Sequence, residues 1–172
     1  MKNTVGILIA LVTSMSLQAH ARVAPSDAAL IQLRMGGGMP APGGLVGREV
    51  TIRESGDVHV HETRYAKDFN GPNEEREYIL GRVEPVDVLL IKETVDRLHG
   101  GLFLEPQGPQ CMDAPSYTYS VVKDSMLIPV YRIFGCRPLE LRDESQRSAA
   151  LEIKGYLDHW LALTHGSFLT AI

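Results

Sequence analysis

The sequence predicts an α+β fold: an antiparallel sheet of five or six strands with two helices packed on one face, braced by one disulfide. Three observations lead there. The strand-like runs are short, alternate polar with apolar residues and mostly come in hairpins, whereas a buried parallel sheet reads as continuous apolar runs. Two other segments repeat apolar residues at helical spacing. The only two cysteines, Cys111 and Cys136, stand just outside one of the hairpins.

The 172 residues fit one domain of ordinary size after an export signal. Lys2 supplies an N-terminal charge, Val5 to Val12 has no polar side chain, and Ala19-His20-Ala21 places small residues two apart, the pattern of a secretory signal with its cleavage site. Thr13, Ser14, Ser16 and Gln18 break the apolar run well short of the roughly 20 residues that span a bilayer. Residues 1–21 are therefore expected to be the signal and residues 22–172 a single α+β domain, with no membrane span after cleavage. Residues 1–21 contain Lys2 and no acid, which leaves 16 basic against 21 acidic residues in the mature part. The charges are dispersed, and the basic patch of a nucleic-acid binder is missing.

Ala29-Leu30-Ile31-Gln32-Leu33-Arg34 has strand length and composition. The segment from Gly36 to Gly44 holds five glycines and two prolines and must be a loop, since glycine is costly to order and proline lacks the ladder donor. Arg48 to Arg53 and Val58 to His61 alternate around the turn Ser55-Gly56-Asp57, a hairpin with Val50, Ile52, Val58 and Val60 on its buried side. Lys67 to Arg76 is polar and reads as exposed loop; Glu77 to Val83 is a further strand. Pro85 suits a first helical turn, Val88, Ile91, Val95 and Leu98 form one stripe, and Gly100-Gly101 ends that helix after His99. Leu102 and Phe103 are expected to fold back onto the core, and Glu105 to Ser116 to be irregular.

Tyr117 to Val122 and Met126 to Ile133 then form the central hairpin around Lys123-Asp124-Ser125. If residues 123 to 126 make the turn, Cys136 lies opposite residue 113, close enough for Cys111 to bridge to it. An export signal with one cysteine pair points to a structural disulfide, which contributes roughly 3 kcal/mol by restricting the unfolded chain. After Pro138 and a charged stretch, Ala149, Ile153, Tyr156, Leu157, Trp160 and Leu163 or Leu161 line the final helix. Asp143 and Gln146 read as its capping box and Gly166 as its end, while Gly155 weakens it by roughly 1 kcal/mol relative to alanine.

No catalytic residue, cofactor site or metal site is assigned. His59 and His61 share one strand face and are the residues that a zinc-binding reading would use. Their face is the one opposite Val58 and Val60, where polar residues are expected in any case, and Tyr65 stands where a helical His-Glu-x-x-His motif needs its second histidine. There is no Gly-x-Ser-x-Gly, and the glycine loop lacks the Lys-Ser/Thr tail of a phosphate loop. That loop, with Gly36, Gly37, Gly38 and Met39, is instead the candidate contact surface for a protein partner, because long loops on rigid sheets often carry binding.

The order of elements adds a resemblance. A strand of the type Ile31-Gln32-Leu33-Arg34, a glycine-rich turn, further strands, a helix ending near Leu98, a Tyr117-Thr118-Tyr119 strand with its partner and a last helix resemble the emfourin-type inhibitors of thermolysin-like metalloproteases, over about residues 30 to 163. The export signal, the cysteine pair and the insert from Lys67 to Arg76 depart from that family. The resemblance implies inhibition by protein contact and transfers no inhibitory residue. The expected function is an exported small binding module, periplasmic or secreted, whose partner is a protease or an envelope protein. A zinc-binding envelope protein or metal-dependent enzyme using His59 and His61, and a structural envelope component, are the alternatives.

Overall fold

In a computed structural model, which describes residues 27–37, 43–68, 71–105, 111 and 113–166, seven strands and two helices follow one another along the chain. They are β1 (Ala29–Gly36), β2 (Leu45–Arg53), β3 (Asp57–Arg64), β4 (Glu74–Arg82), α1 (Pro85–Asp96), β5 (Ser116–Lys123), β6 (Met126–Phe134), β7 (Arg137–Glu140) and α2 (Glu144–Gly166). The expected signal, residues 1–21, lies outside the described residues. All strands pair antiparallel in one sheet of order β4-β3-β2-β1-β5-β6-β7. Helix α2 lies across β1, β2, β5 and β6, and α1 packs beside it over β1. The α+β architecture with helices on one sheet face is as the periodicities predict, with seven strands instead of five or six.

The strand beyond that expectation is β7, Arg137 to Glu140, which pairs with β6 at the sheet edge. An edge strand tolerates Pro138 because one row of its backbone donors faces no ladder partner. The charged stretch around it therefore conceals a strand. Likewise β4 begins at Glu74, so the polar insert is shorter than its composition suggests. Helix α1 stops at Asp96, yet Leu98 beyond it is completely buried. Leu102 does not fold back onto the core, being 70% exposed, while Phe103 packs partly against it and bridges to Leu141.

The core forms where the alternation puts it. Ile31 and Leu33, Val50 and Ile52, Val58 and Val60, and Tyr119 and Val121 are buried, and meet Val88, Ile91 and Val95 of α1 and Ala149, Ile153 and Leu157 of α2. On α2, Leu161 packs partly against this cluster and Leu163 is exposed. Tyr119 also donates its hydroxyl to Asp158 of α2 at 2.6 Å, and burial, with that carboxylate beside it, pushes the phenol far above its usual pKa. The capping box takes another form. Asp143 accepts from the backbone N–H of Ser145, and hydrogen bonds from Ser145 and Gln146 hold its carboxyl below the usual value. Gln146 is buried, with its amide oxygen accepting from the backbone N–H groups of His99 and Gly100 and its amide nitrogen donating to the Gly100 carbonyl. One side chain thus ties the start of α2 to the chain leaving α1.

Around the central hairpin the register is the one set by the turn, Lys123 opposite Met126 and Val122 opposite Leu127, with Asp124 and Ser125 both at positive φ as a tight hairpin turn requires. A bulge between Tyr119 and Ser120 advances the pairing by one residue. Cys111 and Cys136 are bridged at a Cα–Cα distance of 5.5 Å, joining the approach to β5 to the β6–β7 turn. Gly135 makes that approach possible: its φ is 63°, and a Cβ there would sit 2.8 Å from the Cys111 carbonyl oxygen. Replacing both cysteines by serine is expected to lower the urea-unfolding free energy by about 3 kcal/mol, with far-UV circular dichroism unchanged before the transition.

At one end of the sheet the inward alternation runs on from Val50 to Arg48 and from Val60 to Glu62, which face each other across β2 and β3. Both are buried. The Arg48 guanidinium donates to Glu62 at 2.6 and 2.8 Å and to the Thr164 hydroxyl of α2 at 2.6 Å, while Tyr78 donates to the same carboxylate at 3.3 Å and Arg64 lies 3.4 Å from its other oxygen. Removing one partner leaves an uncompensated buried charge. Glu62→Ala is therefore expected to cost about 3–5 kcal/mol in chemical denaturation, whereas Arg48→Met with Glu62→Leu returns stability to near the parent value or above it.

Candidate functional site

The face of the sheet away from the helices is polar, and the strand register arranges it in three cross-strand rows. The first runs Ser120, Gln32, Thr51, His59 and Ile79 from β5 to β4; the second Thr118, Arg34, Glu49, His61 and Glu77; the third Ser116, Gly36, Gly47, Thr63 and Glu75. In the first row Thr51 and Ser120 are buried by their neighbours. The second row carries charge: Glu49 accepts from the Gln32 amide at 2.7 Å and lies 3.9 Å from the exposed Arg34 guanidinium.

The third row is nearly empty of side chains at its centre. Gly36 and Gly47 are directly paired and Ser116 stands on the other side of Gly36, so three adjacent positions present little above the backbone. The result is a trough of about 510 Å³ bounded by Arg34, Glu49, His61, Thr63 and Thr118, with Gly37 at its end. Among the described residues, a Cβ at Gly36 would meet nothing within 4 Å, so their packing does not require glycine there. Gly37 differs, because its φ of 86° is a conformation L side chains rarely adopt.

The residues singled out from sequence converge in part. Gly36, Gly37 and His61 line the same trough, with His59 one row away. Gly38 and Met39, the rest of the candidate loop, lie outside the described residues. The two imidazoles do not share a carboxylate: His59 faces Glu77 and His61 faces Glu75, each at 3.8 Å. Among the described residues no group of three or more His, Cys, Asp or Glu is placed to hold a metal ion. Ser116, Thr63 and Thr118 carry no local sequence signal, because only the register brings them beside the glycines. A signal for part of the trough was present, since Gly47, Glu49 and Thr51 continue the outward alternation of β2.

Chemically, this face offers a guanidinium, a carboxylate, an imidazole and several hydroxyls over a flat floor. It suits hydrogen bonding and charge pairing with a protruding segment. Compared with known protein families, curated proteins and solved structures, the chain finds no match. The trough glycines separate shape from backbone strain: Gly36→Ala is expected to leave unfolding stability unchanged or slightly raised, and Gly37→Ala to lower it by about 1–2 kcal/mol, in parallel urea titrations.

Proposed function

We propose that this protein is an exported binding module that holds a protein partner against the open face of its sheet, in the periplasm or outside the cell, and that a thermolysin-like metalloprotease is the partner it inhibits. The observation that carries the binding reading is the trough over Gly36, Gly47 and Ser116, a shaped and charged recess where packing among the described residues does not require the glycine at Gly36. The export reading rests on the signal-like N-terminal residues and on the disulfide, which persists in oxidising compartments. The protease reading rests on the resemblance in element order.

Recognition here works by insertion. A loop or chain end of the partner enters the trough, where Arg34 and Glu49 set its charge register and the hydroxyls of Ser116, Thr63 and Thr118 pair with its backbone. Gly36→Leu fills the space while leaving the strand pairing intact. Titrated against thermolysin-like proteases, the oxidised protein is expected to suppress peptide hydrolysis near equimolar ratio, and Gly36→Leu to need about ten-fold more, the loss of roughly one good contact. Unchanged hydrolysis at large molar excess removes the protease as partner. Equal potency of wild type and Gly36→Leu removes the open face as the contact.

A further inference from the structure

The helix layer, on the other side of the sheet, carries a second recess. Between α1 and α2 runs a groove of about 740 Å³, walled by Val83, Leu90, Tyr156 and Trp160, with Gly155 along it. Gly155 lies inside α2, where glycine weakens a helix, and a Cβ built on it meets nothing within 4 Å. Packing among the described residues therefore gives no reason for a glycine at this point, and a side chain there would stand in the groove. Gly81 serves the same groove differently, since a Cβ there would come within 2.9 Å of the Trp160 ring, which rests against β4 in its place.

The surface beside the groove is also apolar. Helix α1 already buries Val88, Ile91 and Val95, yet Val86, Leu89 and Leu90, spaced i, i+3, i+4, are 62%, 62% and 45% exposed. This second stripe extends the groove beyond what a small molecule would cover. Its rim is acidic: Glu84, Asp87, Glu93 and Glu152 border it. The two guanidiniums there are engaged, Arg82 with Asp57 at 2.8 Å and Arg97 with Glu152 at 2.6 Å. The groove thus presents excess negative charge around apolar walls, and burial together with Asp87 and Glu152 pushes the Tyr156 phenol above its ordinary pKa.

We propose that the groove between α1 and α2, with the exposed stripe of α1, docks a short basic amphipathic helix of a partner protein. Its apolar residues sit on Leu90, Tyr156 and Trp160, and its lysines or arginines face Glu84, Asp87 and Glu93. Charge complementarity selects this occupant, since apolar anchors at helical spacing suit a groove between two helices and cationic flanks match its rim. A second copy of this chain fits poorly. Its own stripe stands among the same acids, so a two-fold contact would bring two sets of Glu84, Asp87 and Glu93 together with no added cation.

Trp160 is the only tryptophan, so its emission reports the groove directly. Titrating the oxidised protein with a Leu/Lys amphipathic peptide is expected to give a saturable blue shift that weakens as salt screens the rim. Gly155→Leu, which fills the groove with a better helix former, and Asp87→Lys with Glu93→Lys, which invert the rim, should each weaken that response about ten-fold or more, with circular dichroism unchanged. Gly36→Leu should leave it intact, which separates this surface from the open sheet face. The proposal is overturned if no saturable shift occurs, if a Leu/Glu peptide of the same pattern works equally, or if Gly155→Leu responds like the parent. It is also overturned if sedimentation shows a dimer that Gly155→Leu dissolves, or if deleting residues 167–172 alone moves the emission, since those results assign the groove to a second copy or to the chain's own end.

Discussion

The buried contact between Arg48 and Glu62 holds together the strand register and the placement of the last helix. Two opposite charges taken out of water require each other, and these two also fix which residues oppose one another across β2 and β3. A slip of one residue would turn Arg48 to the open face and leave Glu62 without its guanidinium inside. Because Arg48 also binds Thr164, the same contact sets where the last turns of α2 cross the sheet. The position of α2 in turn decides where Trp160 rests on β4 and how wide the gap to α1 becomes. Both recesses depend on this one register: the rows of the open face and the groove of the helix layer.

How much of this was legible in the amino acids depended on whether the information was local. The pairing of Lys123 with Met126 follows from the turn alone, and Val50, Ile52, Val58 and Val60 announce their buried face by alternation. The same period, carried one step further, reaches Arg48 and Glu62, but a charged residue at an inward position reads as the end of a strand until its partner is known. Gln146 fits a capping box in sequence, and only the return of the chain at His99 and Gly100 gives its amide a stronger use. Pro138 hides β7 because sequence does not say that this strand lies at an edge. The trough is the extreme case. Its members come from β1, β2, β3 and β5, and no spacing along the chain relates Gly47 to Ser116.

The two faces of the molecule differ in chemistry. The open face is flat, hydrogen-bonding and mixed in charge, with its recess made by omitting side chains from paired strands. The helix layer is apolar and acidic, with its recess made by a glycine inside a helix and by two helices that do not fully close over Val83 and Leu90. A sheet covered on one side only carries one recess on each side, and the two share no lining residue.

The strand order has one more consequence. It divides the sheet into two meanders, β1 to β4 and β5 to β7, each built from neighbours in the chain, and joins them along a single seam between β1 and β5. Across that seam Gly36 pairs with Ser116, 80 positions away, so the middle of the sheet is its least local joint and the slowest to search for. The disulfide closes within the second meander and does not cross the seam. Cohesion between the halves therefore rests on the β1–β5 ladder and on α2, which spans β1, β2, β5 and β6 like a splint. Until the second half arrives, β1 is an outer strand with a bare ladder edge, and the trough, whose floor straddles the seam, exists only once the halves have met.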